Sequence, residues 1–197
     1  WYPVGGQNYR VDRDLLHEAR RGSRRLQLMP AGSDQRHVLV EINEDGMRGP
    51  RVDPAHRRPR VLLLGDSLVL AGNSPEGDTL RAQLDCLLSG RVEVLNAGRE
   101  SYGPDQTLLW LQREGQALAP DVVVLILCAH NDSGDLMRNQ LFELGPNGAL
   151  VRRYPEMSSA LRMRFEQRYK DSRDMALLRW WRAQFAVPRL GPIRDPD

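Results

Sequence analysis

The chain has 197 residues, is 41% hydrophobic and 27% charged, and carries a formal net charge of +2. That length is enough for one medium domain with its own core. The composition excludes a disordered chain, and so small a charge gives no reason to expect a nucleic-acid partner. The basic side is almost all arginine, with Lys170 the only lysine, which reads as compositional bias. Cys86 and Cys128 belong to no metal-spaced pair and no disulfide framework. No apolar run is long enough to span a bilayer, and membrane contact is not expected.

Residues 1–36 mix charges, Gly and Pro, with one short helix expected around Asp12–Arg21. His37-Val-Leu-Val-Glu-Ile-Asn43 reads as a strand closed by a turn at Glu44-Asp-Gly46. Residues 47–59, rich in Arg and Pro, read as a solvated connector. The pattern then alternates: a strand at Val61–Leu64, a helix at Thr79–Leu88, a strand at Val92–Leu95 and a helix at Pro104–Leu118 with proline in its first turn. Asp121-Val-Val-Val-Leu-Ile-Leu-Cys128 reads as a strand buried on both faces, and a helix follows Asp132. Alternation of this kind predicts βαβ units and an α/β domain with a parallel sheet. Beyond it, Leu141–Val151 reads as a hairpin around Pro146-Asn-Gly148. Helical stretches are expected at about Met157–Tyr169 and Ser172–Phe185, and an irregular tail at Val187–Asp197. In the later helices Met175, Leu177, Leu178, Trp180, Trp181 and Phe185 read as a packing face, and the arginines from Arg152 to Arg173 as a solvated one.

The informative point is what stands at the strand ends. The first core strand stops at Gly65-Asp66-Ser67, the second at Asn96-Ala-Gly98 and the small-residue loop through Ser101 and Gly103, the third at His130-Asn131-Asp132. Parallel strands bring all three to one edge of the sheet, where open α/β sheets place their chemistry. A hydroxyl, a loop with free backbone N–H groups and a side-chain amide are parts that acyl transfer needs: an attacking oxygen and fixed donors for the oxyanion.

Gly65-Asp-Ser-Leu68, Asn96-Ala-Gly98 and Asn131-Asp132 resemble, in order and spacing, the first three sequence blocks of the SGNH (GDSL-type) hydrolases. Asn43-Glu-Asp-Gly-Met-Arg-Gly49 resembles an Asn-x-x-Gly-x-Arg element that precedes the first block in many larger members. The resemblance covers roughly residues 37–150. It implies a three-layer α/β/α flavodoxin-like fold with a central parallel sheet, here followed by a hairpin and a helical insertion. The domain expectation is an N-terminal extension over 1–36 and an SGNH-type domain over 37–197 that lacks its C-terminal Asp-x-x-His segment.

The resemblance also implies roles. Ser67 is the nucleophile and its N–H helps bind the oxyanion, to which Asn131 donates its amide. The family's further donor is a glycine N–H five residues after the block asparagine. That position here is Ser101, with Gly98 and Gly103 as alternatives. Asp66 holds the turn, and His130 stands where the family commonly has a small residue, close to the substrate. The implied activity is hydrolysis of a small or carbohydrate-linked O-acyl ester through an acyl-serine, with no metal or organic cofactor. The alternative is a binding or assembly module that keeps the fold without the chemistry.

The base is what the sequence lacks. No histidine follows His130. The Asp-x-x-His pattern occurs upstream at Asp14–His17, Asp34–His37 and Asp53–His56, and none is expected to serve Ser67. Asp14 and His17 read as an ordinary surface pair on a helix. His37 opens a strand without a route to the site. His56 precedes the first core strand, whose five residues at roughly 3.3 Å each separate it from Ser67 by about 15 Å. His130 and Asn131 are adjacent on an extended segment and face opposite ways. A metal site from Cys128, His130 and Asp132 lacks the ligands to complete it.

Overall fold

A computed structural model describes residues 9–29, 37–129 and 131–154. The chain folds as a mixed α/β structure around a three-stranded parallel sheet. Two antiparallel pairs come first. β1 (Tyr9–Asp12) pairs with β2 (Leu16–Ala19), and β3 (Arg24–Leu28) with β4 (His37–Glu41). β5 (Arg60–Leu64), β6 (Glu93–Asn96) and β7 (Val122–Leu125) form the parallel sheet in the order β6-β5-β7. α1 (Ser67–Leu70) and α2 (Leu80–Leu87) follow β5, α3 (Pro104–Arg113) follows β6, and α4 (Asp132–Asn139) follows β7. β8 (Phe142–Leu144) and β9 (Leu150–Arg152) close the described chain as a hairpin.

Alternate side chains of β5 enter different clusters, as the two-residue period of a strand requires. Leu62 and Leu64 pack with Leu95, Trp110, Tyr102 and Leu15. Leu63 packs with Val69, Val94 and Leu84. α3 thus supplies one cluster through Trp110, and α1 and α2 the other through Val69 and Leu84. At the amino end of the sheet, Arg60 and Glu93 form a buried ion pair at 2.7 Å.

The strands, helices and final hairpin expected from Val61 to Val151 are present, and most ends fall within a residue or two; α3 stops at Arg113, five residues short of Leu118, with a 3-10 turn over Gly115–Leu118 after it, and β7 stops at Leu125, three residues short of Cys128. Four readings need correction. Asp12–Arg21 is a hairpin and not a helix, because Asp12 Oδ1 accepts the N–H groups of Asp14 and Leu15, both at 2.9 Å, and turns the chain back. β3 went unread, and it pairs with β4 across residues 30–36. Residues 47–59 are not a solvated connector throughout, since Met47 and Arg48 are buried. β7 is not buried on both faces: Val122 to Leu125 are between 37 and 51% exposed. Among the described residues it lies at the sheet edge and pairs with β5 alone. The expected helices at 157–169 and 172–185 and the tail lie outside the described residues. No helix among the described residues is long and apolar enough to cross a membrane.

Candidate active site

The first segment leaves β5 at Gly65, where φ is +154°. A Cβ there would lie 2.6 Å from Val69 Cγ2 and 2.7 Å from Ile126 O, so only glycine fits between α1 and the segment that leaves β7. Asp66 caps α1 and accepts the Leu68 N–H at 2.9 Å, which is the turn-holding part expected of it. Ser67 is the first helical residue and is exposed. Among the described residues neither its hydroxyl nor its N–H has a hydrogen-bond partner.

α1 is a single turn, too short to be stable alone. Its carboxyl end is held by side chains from elsewhere. Asn96 Nδ2 donates to Val69 O at 2.8 Å. Arg48 Nη1 donates to Leu70 O at 2.8 Å and also to Ala71 O, while Nη2 reaches Ser74 O at 2.7 Å. Its Nε pairs with Glu76 at 3.0 Å. Asn43 shapes the loop that presents Arg48, with Oδ1 accepting from Asp45 N at 2.9 Å and Met47 N at 3.0 Å.

The second segment lies directly on α1. A Cβ on Gly98 would meet Leu70 N at 2.3 Å and the Val69 carbonyl carbon at 2.7 Å, so this glycine permits backbone to touch backbone. Arg99 N donates to Gly65 O at 3.1 Å, and its guanidinium lies 4.9 Å from the Trp110 ring centroid. Gly103 caps α3 and is buried, with its N–H bonded to Gln106 Oε1 at 3.1 Å. Ser101 is exposed, with φ at +58°, in the left-handed region. Its N–H makes no hydrogen bond among the described residues. A left-handed non-glycine residue costs roughly 1 kcal/mol. Ser101→Gly is therefore expected to raise stability by about 0.5 kcal/mol, after the extra freedom of glycine in the unfolded chain is subtracted. Urea unfolding reads this, and a lower midpoint would show that the serine backbone is not strained.

The third segment is tied to the first. Asn131 Nδ2 donates to Asp66 Oδ2 at 2.9 Å and to Asp135 Oδ2 at 3.2 Å. Both amide hydrogens are therefore engaged, and contact with an oxyanion requires that one be released. The longer bond, to Asp135, is the weaker of the two. Asn131, not Asp132, holds the cap position of α4. Instead, Asp132 Oδ2 accepts the Cys128 N–H at 2.6 Å. Burial pushes the Asp132 carboxyl up, opposed by that bond and helped by the charges of Asp66 and Asp135. Burial likewise raises Asp105, against the bond from Asn139.

The three segments thus meet at the carboxyl end of one parallel sheet. Ser67, Asp66, Gly98 and Asn131 are joined directly or through one another. Gly103 lies behind them, near Asp135 and Asn139. His130 lies outside the described residues. Of the other histidines, His56 bonds Asp121 at 3.3 Å at the amino end of β7, away from Ser67. His37 is exposed on β4. His17 is not on a surface helix but buried in β2, with Nε2 2.8 Å from Glu100 O. Sequence reasoning missed Arg48 and His17 as site-building residues. Arg48 had a local signal, the Asn43-x-x-Gly-x-Arg spacing; His17 had none. Among the described residues no three His, Cys, Asp or Glu side chains gather to hold a metal ion.

No protein-family model matches the chain, and no curated protein matches it in sequence.

Proposed function

We propose that the chain is a serine-dependent ester hydrolase of the SGNH type, with Ser67 as nucleophile. One observation carries the reading: Ser67 heads a one-turn helix at the junction of the three strand-end segments, with its hydroxyl and N–H both uncommitted among the described residues. Packing of β5 into separate clusters supplied by α3 and by α1 with α2 supports the finer three-layer arrangement.

In this reading Ser67 Oγ attacks the carbonyl carbon of an O-acyl ester. The carbonyl oxygen gains negative charge, which the Ser67 and Ser101 N–H groups and the Asn131 amide receive. Collapse expels the alcohol and leaves an acyl-serine, which water then cleaves to the free acid. The chemistry needs no cofactor. It does need a base for the Ser67 proton, and the imidazoles of the described residues are committed elsewhere or distant, so the base comes from outside them. A small or carbohydrate-linked ester is the substrate class that the motif resemblance implies.

A second reading, a binding module without the chemistry, draws on two facts: no described imidazole reaches Ser67, and both Asn131 amide hydrogens are held by carboxylates. Treatment of the full chain with a fluorophosphonate, followed by peptide mapping, separates the two. A covalent adduct on Ser67 is expected. Absence of any adduct at probe concentrations that saturate an active serine hydrolase supports the binding module.

A further inference from the structure

The N-terminal hairpin brackets Ser101 from both sides. On one side His17 Nε2 lies 2.8 Å from Glu100 O. A carbonyl offers only lone pairs, so the imidazole is the donor and carries its proton on Nε2 in this contact. On the other side the Tyr102 hydroxyl donates to His17 O at 2.9 Å. Burial pushes the Tyr102 phenol up, so it stays protonated and able to donate. The imidazole is gripped edge-on between Tyr9 and Tyr102, with centroids 5.7 Å and 5.2 Å away. The Glu100 carboxylate is held separately by Arg25, whose Nη1 lies 3.1 Å from Oε2.

The Glu100 carbonyl belongs to the same peptide plane as the Ser101 N–H. In a trans peptide those two groups point in opposite directions. Fixing the oxygen on His17 therefore fixes the direction of the Ser101 N–H, away from the hairpin. A bond accepted by the carbonyl also polarises the peptide and strengthens the N–H as a donor. The glycine expected at this position would leave the plane freer to turn. With serine there, the left-handed backbone at residue 101 needs an outside hold.

We infer that His17 is a positioning residue for the Ser67 reaction: through the Glu100 carbonyl it sets the orientation of the Ser101 N–H as an oxyanion donor. This rests on the esterase reading above, and it draws residues of the N-terminal extension into the working site.

The test compares fluorophosphonate labelling of the full chain in wild type, His17→Phe and His17→Gln, with Ser67→Ala as the blank. Phenylalanine keeps a ring between the two tyrosines and removes the donor. Glutamine places an amide N–H at similar reach. The rate of Ser67 labelling at saturating probe is expected to fall about tenfold in His17→Phe and to recover to within about threefold of wild type in His17→Gln, as one misdirected oxyanion donor predicts. The probe concentration giving half-saturation should not move. The Glu100 carbonyl 13C shift should change in His17→Phe and return in His17→Gln. Wild-type labelling in His17→Phe overturns the inference. So does an equal loss in both variants that tracks their melting temperatures, since that is plain destabilisation. If Ser67→Ala labels as fast as wild type, the esterase reading fails and takes this inference with it. That failure is visible in the blank alone.

Discussion

Ser67→Ala is expected to lower kcat/KM for a small aryl ester by at least about a thousandfold, the scale on which loss of a serine nucleophile acts. The same change should leave stability within about 0.5 kcal/mol of wild type, as for exposed side chains without partners. The reason lies in how Ser67 is built. Its backbone is fixed by Asp66 before it and by the clasp on the end of α1, while its side chain has no hydrogen bond among the described residues. Activity and stability therefore separate at this residue. Ester turnover and a thermal melt on the same sample read both quantities. Unchanged turnover in the variant would end the esterase reading.

Arg48→Met is expected to do the reverse and act first on stability. Methionine fills a similar length but donates nothing. The carbonyls of Leu70, Ala71 and Ser74 each lose their guanidinium donor, and Glu76 loses one of its two arginines, keeping Arg81 at 2.9 Å. Leu70 is buried, whereas Ala71 and Ser74 are half-buried and water can replace part of the loss there. The net cost is about 3 kcal/mol, which lowers Tm by about 6–12 °C for a chain of this size. Arg48→Lys keeps the charge but not the fork, and one ammonium cannot span three carbonyls and a carboxylate. It should therefore recover less than half of the loss. A melt within 2 °C of wild type, an interval smaller than about 1 kcal/mol would produce, would show that the clasp is not what holds α1.

The parallel sheet and its helices were legible in the sequence because their signals are local. Val61–Leu64 and Val92–Leu95 are short apolar runs bounded by turn residues, and Thr79 and Pro104 mark helix starts within a few positions. The strand-end motifs were legible for the same reason. The N-terminal third was not. Asp14, Leu15 and His17 have a spacing that fits a helix, and only the Asp12 side chain, bonded to the next turn, decides for a hairpin. The partners of that hairpin, Glu100 and Tyr102, lie more than eighty residues away. No window along the chain contains both. β7 misled in a different way. Its apolar run shows that the strand suits burial, but only the strand order shows that it stands at an edge among the described residues.

That long-range stitching has a consequence for the order of events during synthesis. Leu15, fully buried in the main core cluster, emerges from the ribosome long before Trp110, its partner there. Gln106 Nε2 must reach back to Leu15 O, and Arg152 Nη2 to Asp14 O, both at 2.6 Å. Contacts separated by 91 and 138 residues close last and slow folding, because a large loop must be drawn shut before any bond forms. The nascent chain therefore carries the β1–β2 hairpin without its full set of partners until the residues from Leu62 to Trp110 have been made. The bond from Arg152 to Asp14 O can close only once β9 has emerged.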